Sequence, residues 1–102
     1  MSRARLSAQD IADLPGRAPG WSASESLLEK TFHFPTYADG VAFVTVLAIA
    51  AEKRDHHPDV FLGYRRVKVG WSTHDAGGTT ELDRDMALET DAIAARHSGT
   101  TS

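Results

Sequence analysis

Cysteine is absent from the 102 residues of the chain, which excludes a disulfide framework, a thiolate metal site and a cysteine nucleophile. That composition permits a reducing compartment. Long hydrophobic runs are missing too. The longest apolar stretch, Val41 to Ala51, is broken by Thr45 and falls short of the roughly 18 residues that suggest a membrane span. The start, Met1-Ser2-Arg3-Ala4-Arg5, is basic, but Gln9 and Asp10 stand where a secretion signal would carry its apolar core. A cytoplasmic protein with no membrane contact is the expectation. No excess of positive charge is present either, with 11 Lys and Arg against 14 Asp and Glu and a formal net charge of -3. The nearest approach to a basic cluster, Arg65, Arg66 and Lys68, would be split between two faces of an extended segment, so direct nucleic-acid binding is not expected.

The rest of the composition is ordinary for a globular protein, at 41% apolar and 25% charged residues. A chain of this length forms one domain, here spanning residues 1–102, and buries roughly two thirds of its unfolded surface. Only the two ends read as loose. Ser7 with Asp10, Thr36 with Asp39 and Thr80 with Asp83 each place a carboxylate three positions after a hydroxyl, the pattern that satisfies orphan N–H groups at a helix start. The first helix is predicted from about Ala8 to Leu14, stopped by Pro15-Gly16. The second runs from about Tyr37 to Arg54, and the third from about Glu81 to Arg96 with Leu82, Met86 and Ile93 on one stripe. The second carries Val41, Phe43, Val44, Val46, Leu47 and Ile49 on more than one face. One sheet cannot cover it all, so subunit association is expected to cover part of the rest.

Extended segments lie between these helices. Leu28 to Phe34 alternates in part, with Leu28, Phe32 and Phe34 on one face, and Trp21 to Ala23 is expected to pair with it across a turn near Ser24-Glu25-Ser26. Val67, Val69 and Trp71 alternate with Arg66, Lys68, Gly70 and Ser72, and Gly63 marks a bulge or break in the stretch Val60 to Thr73. The order α-β-β-α-β-β-α, with about four strands, predicts a two-layer α+β domain with an antiparallel sheet.

Three histidines fall where the chain has reason to hold still. His56 and His57 precede Pro58, which disfavours helix at the residue before it, so the pair sits at the end of the second helix. The macrodipole there favours positive charge. His74 ends the Val67 to Thr73 strand and by parity points off the core. Asp55 and Asp75, each beside a histidine, are placed to orient an imidazole through its second nitrogen. Asp75-Ala76-Gly77-Gly78-Thr79-Thr80 leaves backbone N–H groups accessible to a polar ligand before the third helix. A zinc site is the competing reading of three histidines. Against it, no His-x-x-x-His pair or cysteine is present, and adjacent histidines rarely ligate one ion together.

The run Ala51-Glu52-Lys53-Arg54-Asp55-His56-His57-Pro58, followed by Thr73-His74-Asp75-Ala76-Gly77-Gly78 and then Thr80 and Asp83, resembles the signature of pterin-4a-carbinolamine dehydratases. Gly20-Trp21 and Phe32-His33-Phe34 also fit that family, so the likeness covers about Leu6 to Ala95. It implies helices on one side of the sheet, assembly as a homodimer or homotetramer, and no metal or organic cofactor. It also implies a lyase acting in tetrahydrobiopterin recycling, which removes water from a 4a-hydroxytetrahydropterin to give a quinonoid dihydropterin. By carry-over His56, His57 and His74 form the catalytic site, with His56 and His74 moving protons and His57 positioning. Asp55, Pro58, Thr73, Asp75 and Asp83 are the candidates for shaping the site or binding substrate, Asp83 doubling as a helix cap. The resemblance also raises a non-catalytic alternative, a dehydratase-like factor that stabilises a partner protein. Two departures stand out. Val60 replaces an aromatic residue common two positions after the proline, which would thin one wall of the pterin pocket, and Thr79 follows the glycine pair where an aliphatic residue is frequent.

Overall fold

The computed structural model describes residues 3–101; Met1 and Ser2 of the basic start lie outside them. Its elements are α1 (Ala8–Arg17), β1 (Ser22–Ala23), β2 (Leu28–His33), α2 (Tyr37–Arg54), β3 (Asp59–Gly63), β4 (Arg66–Trp71), α3 (Glu81–Arg96) and β5 (Thr100–Thr101), with a 3₁₀ turn at His74–Ala76 between β4 and α3. All strand pairings are antiparallel, in the order β1-β2-β4-β3, with β5 also on β2. The predicted α+β class, helix order and paired-strand pattern hold. No helix among the described residues is long and apolar enough to cross a membrane.

All three hydroxyl caps form. Ser7 and Thr80 make reciprocal capping boxes with Asp10 and Asp83, while the Thr36 hydroxyl accepts from the backbone of Asp39 and donates to its carboxylate. Backbone and side-chain hydrogen bonds from Ser7 hold the Asp10 carboxyl below its ordinary value. α1 does not stop at Leu14 but runs through Pro15 to Arg17, closed by Ala18 N–H donating to the Leu14 carbonyl at 2.7 Å. Pro15 stands in the last turn, so its missing N–H frees one carbonyl, that of Ile11, close to the helix end.

The core forms where one face of the sheet meets the helices. Val67, Val69 and Trp71 of β4 are buried, as the alternation predicts, and face Leu28 and Phe32 of β2. Gly40, Phe43, Leu47 and Ala51 are the buried stripe of α2, and Phe43 packs its ring against Phe32 and Phe34 at centroid distances of 5.4 and 5.0 Å. Each large side chain in this row contributes roughly 1.5–3 kcal/mol on burial. Lys30 shares the parity of Leu28 and Phe32 and is buried with them. Its ammonium is satisfied by Asp91 at 2.8 Å and the Pro19 carbonyl at 2.9 Å, and lies over the Phe32 ring.

The C-terminal segment is not loose as far as it is described. Ser98 takes a positive φ of 62°, the chain reverses after α3, and Thr100 and Thr101 pair with His33 and Phe32 as the fifth strand. At the other end, Leu6 N–H donates to the Thr79 carbonyl and Glu81 N–H to the Ala4 carbonyl, both at 3.0 Å. This pairing draws Arg3 toward the end of β4 and the start of α3.

Candidate active site

α2 ends in a left-handed residue, Asp55, with φ of 50°. His56 N–H then donates back to the Ala51 carbonyl and Asp55 N–H to the Glu52 carbonyl, both at 3.2 Å, the Schellman arrangement that closes helices. That reversal turns the His56 side chain inward, so it is only 6% exposed. Its ring stacks on Trp71 at 5.3 Å with an interplanar angle of 26°. Trp71 is itself held by donating Nε1–H to Thr90 at 3.0 Å.

His56 Nε2 lies 2.5 Å from Asp83 Oδ1. Asp83 has no exposed surface, and its Oδ2 accepts from Thr80 N–H at 2.9 Å and the Thr73 hydroxyl at 2.8 Å. An ionised carboxylate only accepts, so the Asp83 contact puts a proton on His56 Nε2 and leaves Nδ1 as the second functional nitrogen. His56 lines the cleft, and its Nδ1 makes no hydrogen bond among the described residues.

An open cleft of about 270 Å³ collects His56, His57 and His74. Asp55, Thr73 and Asp75 line it too, with Arg3 and Ser72 completing the rim. The exposed His57 ring pairs through Nε2 with Glu52 Oε1 at 2.5 Å. His74 opens the 3₁₀ turn, is exposed, and neither ring nitrogen has a partner among the described residues. Two bonds between the backbones of Thr73 and Gly78, at 3.2 and 3.3 Å, pinch the loop that carries it. Gly77 takes a φ of 75°, which favours glycine. At Gly78 a Cβ would fall 2.4 Å from the Glu25 carbonyl oxygen.

Of the predicted site residues, the three histidines, Asp55, Thr73 and Asp75 therefore share one cleft. Pro58 is not part of its lining, and Asp83 has no exposed surface and stands behind His56. The carboxylates that hold imidazoles are also not the predicted ones. Asp83 and Glu52 do this, while Asp55 and Asp75 stay at the rim with no side-chain hydrogen bond among the described residues. Val60 forms no wall of this cleft. It stands opposite Val69 in the β3–β4 register and lines a separate hollow with Leu27 and Phe61. Thr79, the other departure, is buried and donates its hydroxyl to the Ser24 carbonyl at 3.0 Å, tying the glycine loop to the β1–β2 turn. Sequence reasoning missed Arg3, whose guanidinium reaches the Asp55 carbonyl at 3.1 Å, and the stacking of His56 on Trp71. Neither carries a local signal, since both partners are distant in sequence. No group of three or more metal-ligating side chains is placed to hold an ion among the described residues.

Residues 4–93 match the family model for pterin 4 alpha carbinolamine dehydratase. The chain belongs to that family. A relative from Roseiflexus sp. (strain RS-1), provisionally named a pterin-4-alpha-carbinolamine dehydratase, is 39% identical over 87% of this chain and 96% of its own. A relative of the same provisional name from Sinorhizobium fredii is 43% identical over 89% of each. Among solved structures, a transcriptional coactivator/pterin dehydratase from Brucella melitensis is similar with a TM-score of 0.82, at 35% identity over 88% of this chain and 98% of that one. A pterin dehydratase-like protein described as a RuBisCO assembly factor of the alpha-carboxysome is similar with a TM-score of 0.60, at 29% identity over 72% of this chain and 86% of that one.

Proposed function

We propose that this family member is a hydro-lyase acting on 4a-hydroxytetrahydropterins. The C4a–oxygen bond breaks as a proton reaches the leaving hydroxyl, and the proton on N5 is removed as the N5–C4a double bond forms. The products are water and a quinonoid dihydropterin. The reaction is redox-neutral and balances with proton transfer alone, so the reading calls for no organic cofactor. Both transfers suit groups that titrate near neutrality.

The observation that carries the reading is the meeting of three imidazoles on one small cleft, one of them backed by a buried carboxylate. In this scheme His56 and His74 are the acid–base pair, and His57, paired with Glu52, positions the ring. The Asp55 and Asp75 carboxylates at the rim suit the amino and N–H donors of the pterin's pyrimidine edge. The cysteine-free chain is consistent with a cytoplasmic location. No nucleic-acid partner is proposed, since Arg65 is committed to the Phe34 carbonyl and Arg66 lies over Phe61.

A coupled absorbance assay with freshly generated carbinolamine tests the proposal. His56→Ala and His74→Ala should each lower turnover by about 10² to 10⁴, the span typical of a lost general acid or base. Near-normal turnover in both variants would refute the assignment. The likeness to an assembly factor favours one other reading, a dehydratase-like protein that stabilises a partner without turnover. A stable partner recovered from the source cell, together with no dehydration, would support that reading instead.

A further inference from the structure

The β3–β4 hairpin closes with Gly63 opposite Arg66, which leaves Tyr64 and Arg65 as a two-residue turn at the end of β4 away from the histidine cleft. Beside this turn lies a hollow of about 280 Å³ lined by His33, Phe34, Tyr64, Arg65 and Arg66. We propose that the hollow binds the phosphate group of a small phosphate monoester, with His33 and the two guanidiniums on the phosphate and Tyr64 beside the group that bears it. The inference is independent of the dehydratase reading.

Charge is the first argument. Three of the five lining side chains are basic, no Asp or Glu lines the hollow among the described residues, and none of the three makes an ion pair among them. The sheet itself brings two of them together, since His33 and Arg66 stand directly opposite each other in the β2–β4 register. An anion between these groups removes an uncompensated concentration of positive charge in a chain whose net charge is -3.

The backbone supplies the second argument. Arg65 takes a φ of 59°, a conformation that glycine adopts without steric cost and that other residues rarely hold. Strain of this kind gathers at ligand clamps, and here it carries a guanidinium. The position of that group is fixed: Nε–H donates to the Phe34 carbonyl at 3.3 Å, while Phe34 N–H donates to the Arg65 carbonyl at 3.0 Å. The first of these bonds uses one of five N–H donors, so four remain on the two Nη nitrogens.

Donor geometry selects the ligand. The Arg66 guanidinium lies 5.8 Å from the Phe61 ring centroid, and stacking of this kind engages a face and leaves the N–H edge available. Two planar forks match the oxygens of a phosphate, and His33 offers an N–H in either protonation state. A phosphate monoester presents three terminal oxygens and up to two charges to these donors, against two oxygens and one charge for a carboxylate. Tyr64 is 76% exposed beside Arg65, so its ring is available to pack on the ester group. One turn with two arginines suits a single small anion and not the run of phosphate contacts that a nucleic acid requires.

Isothermal titration calorimetry of the full chain at low salt with phenyl phosphate, inorganic phosphate and benzoate tests this, with amide chemical shifts locating the site. Phenyl phosphate should bind saturably and about tenfold more tightly than benzoate, the worth of one added charge-assisted hydrogen bond, and should weaken as salt is raised. The largest shifts should fall at His33 and at Tyr64 to Arg66. Arg65→Gly removes the guanidinium and suits the φ of the turn, so it should keep the circular dichroism and weaken phenyl phosphate by about tenfold or more. Arg66→Ala should act in the same direction, and Tyr64→Ala should reduce the ester to the affinity of inorganic phosphate. Unchanged affinity in both arginine variants, equal binding of benzoate, or shifts centred on the histidine cleft overturns the phosphate site. Inorganic phosphate binding to the wild type as tightly as the ester overturns the role given to Tyr64.

Discussion

His56 and His57 are neighbours in sequence with opposite environments, and that contrast decides which carboxylate matters. The Asp83–His56 contact is buried, its carboxylate is held by Thr73 and Thr80, and the imidazole is clamped on Trp71. The Glu52–His57 contact is mostly in water, where such pairs are worth about 0–1 kcal/mol. Asp83→Asn keeps an oxygen for the Thr80 N–H but can offer His56 an amide donor in place of an acceptor, undoing the proton placement that leaves Nδ1 to act. It should lower kcat by about 10²-fold with little change in KM, whereas Glu52→Gln should change kcat/KM by less than about fivefold. Steady-state kinetics across pH on both variants would measure this, and equal losses would remove the buried pair from the mechanism. At this scale the sequence made the histidines legible, because proline, strand parity and motif spacing are local. The partnership of residues 56 and 83, separated in the chain by two strands and a 3₁₀ turn, became visible only in three dimensions.

Helices were the most legible elements because their determinants sit within four residues. The caps at Thr36 and Thr80 and the limits of α2 and α3 follow from local chemistry. β5 was not legible, since two threonines have no reason to be extended apart from the β2 edge that receives them. Lys30 was also misleading by pattern: a charged residue at an inward position reads as a break in the alternation, and here it is the centre of a network. Asp91 of α3 accepts from Lys30 and from Trp21 Nε1, the latter at 3.1 Å, joining β2 to α3 and to the segment after α1. Lys30→Met leaves Asp91 without its cation and should cost about 2–4 kcal/mol in chemical denaturation, somewhat less than for a fully buried pair because Asp91 keeps some exposure. Adding Asp91→Asn, which removes the unpaired charge but keeps an oxygen for Trp21 Nε1, should recover much of that loss. A double variant as unstable as the single one would mean that packing around the lysine stem, and not its charge, holds these elements together.

For the whole molecule, the composition of α2 is the feature a single copy leaves unresolved. Its inward stripe is covered by the sheet, but Tyr37, Val41, Thr45 and Ile49, at four-residue spacing, lie along another face, and Tyr37, Val41 and Ile49 are 49%, 39% and 53% exposed. Thr45 does not interrupt this stripe chemically, because its hydroxyl donates back to the Val41 carbonyl at 3.0 Å and presents its methyl instead. We propose that copies associate through this stripe, since a second copy offers the same stripe in return and a two-fold, helix-on-helix contact would cover both. The expected outcome is a dimer or tetramer in light scattering at micromolar concentration. Ile49→Glu, a surface change in one copy, should shift the mass toward the monomer and leave the far-ultraviolet circular dichroism unaltered. The histidine cleft of each copy is lined by residues from that copy's own helix end, strand end and glycine loop, so the dissociated variant should retain dehydratase turnover per chain within a few-fold. A wild-type mass of one chain would remove α2 as an interface, and loss of turnover on dissociation would mean that the partner copy helps to complete the site.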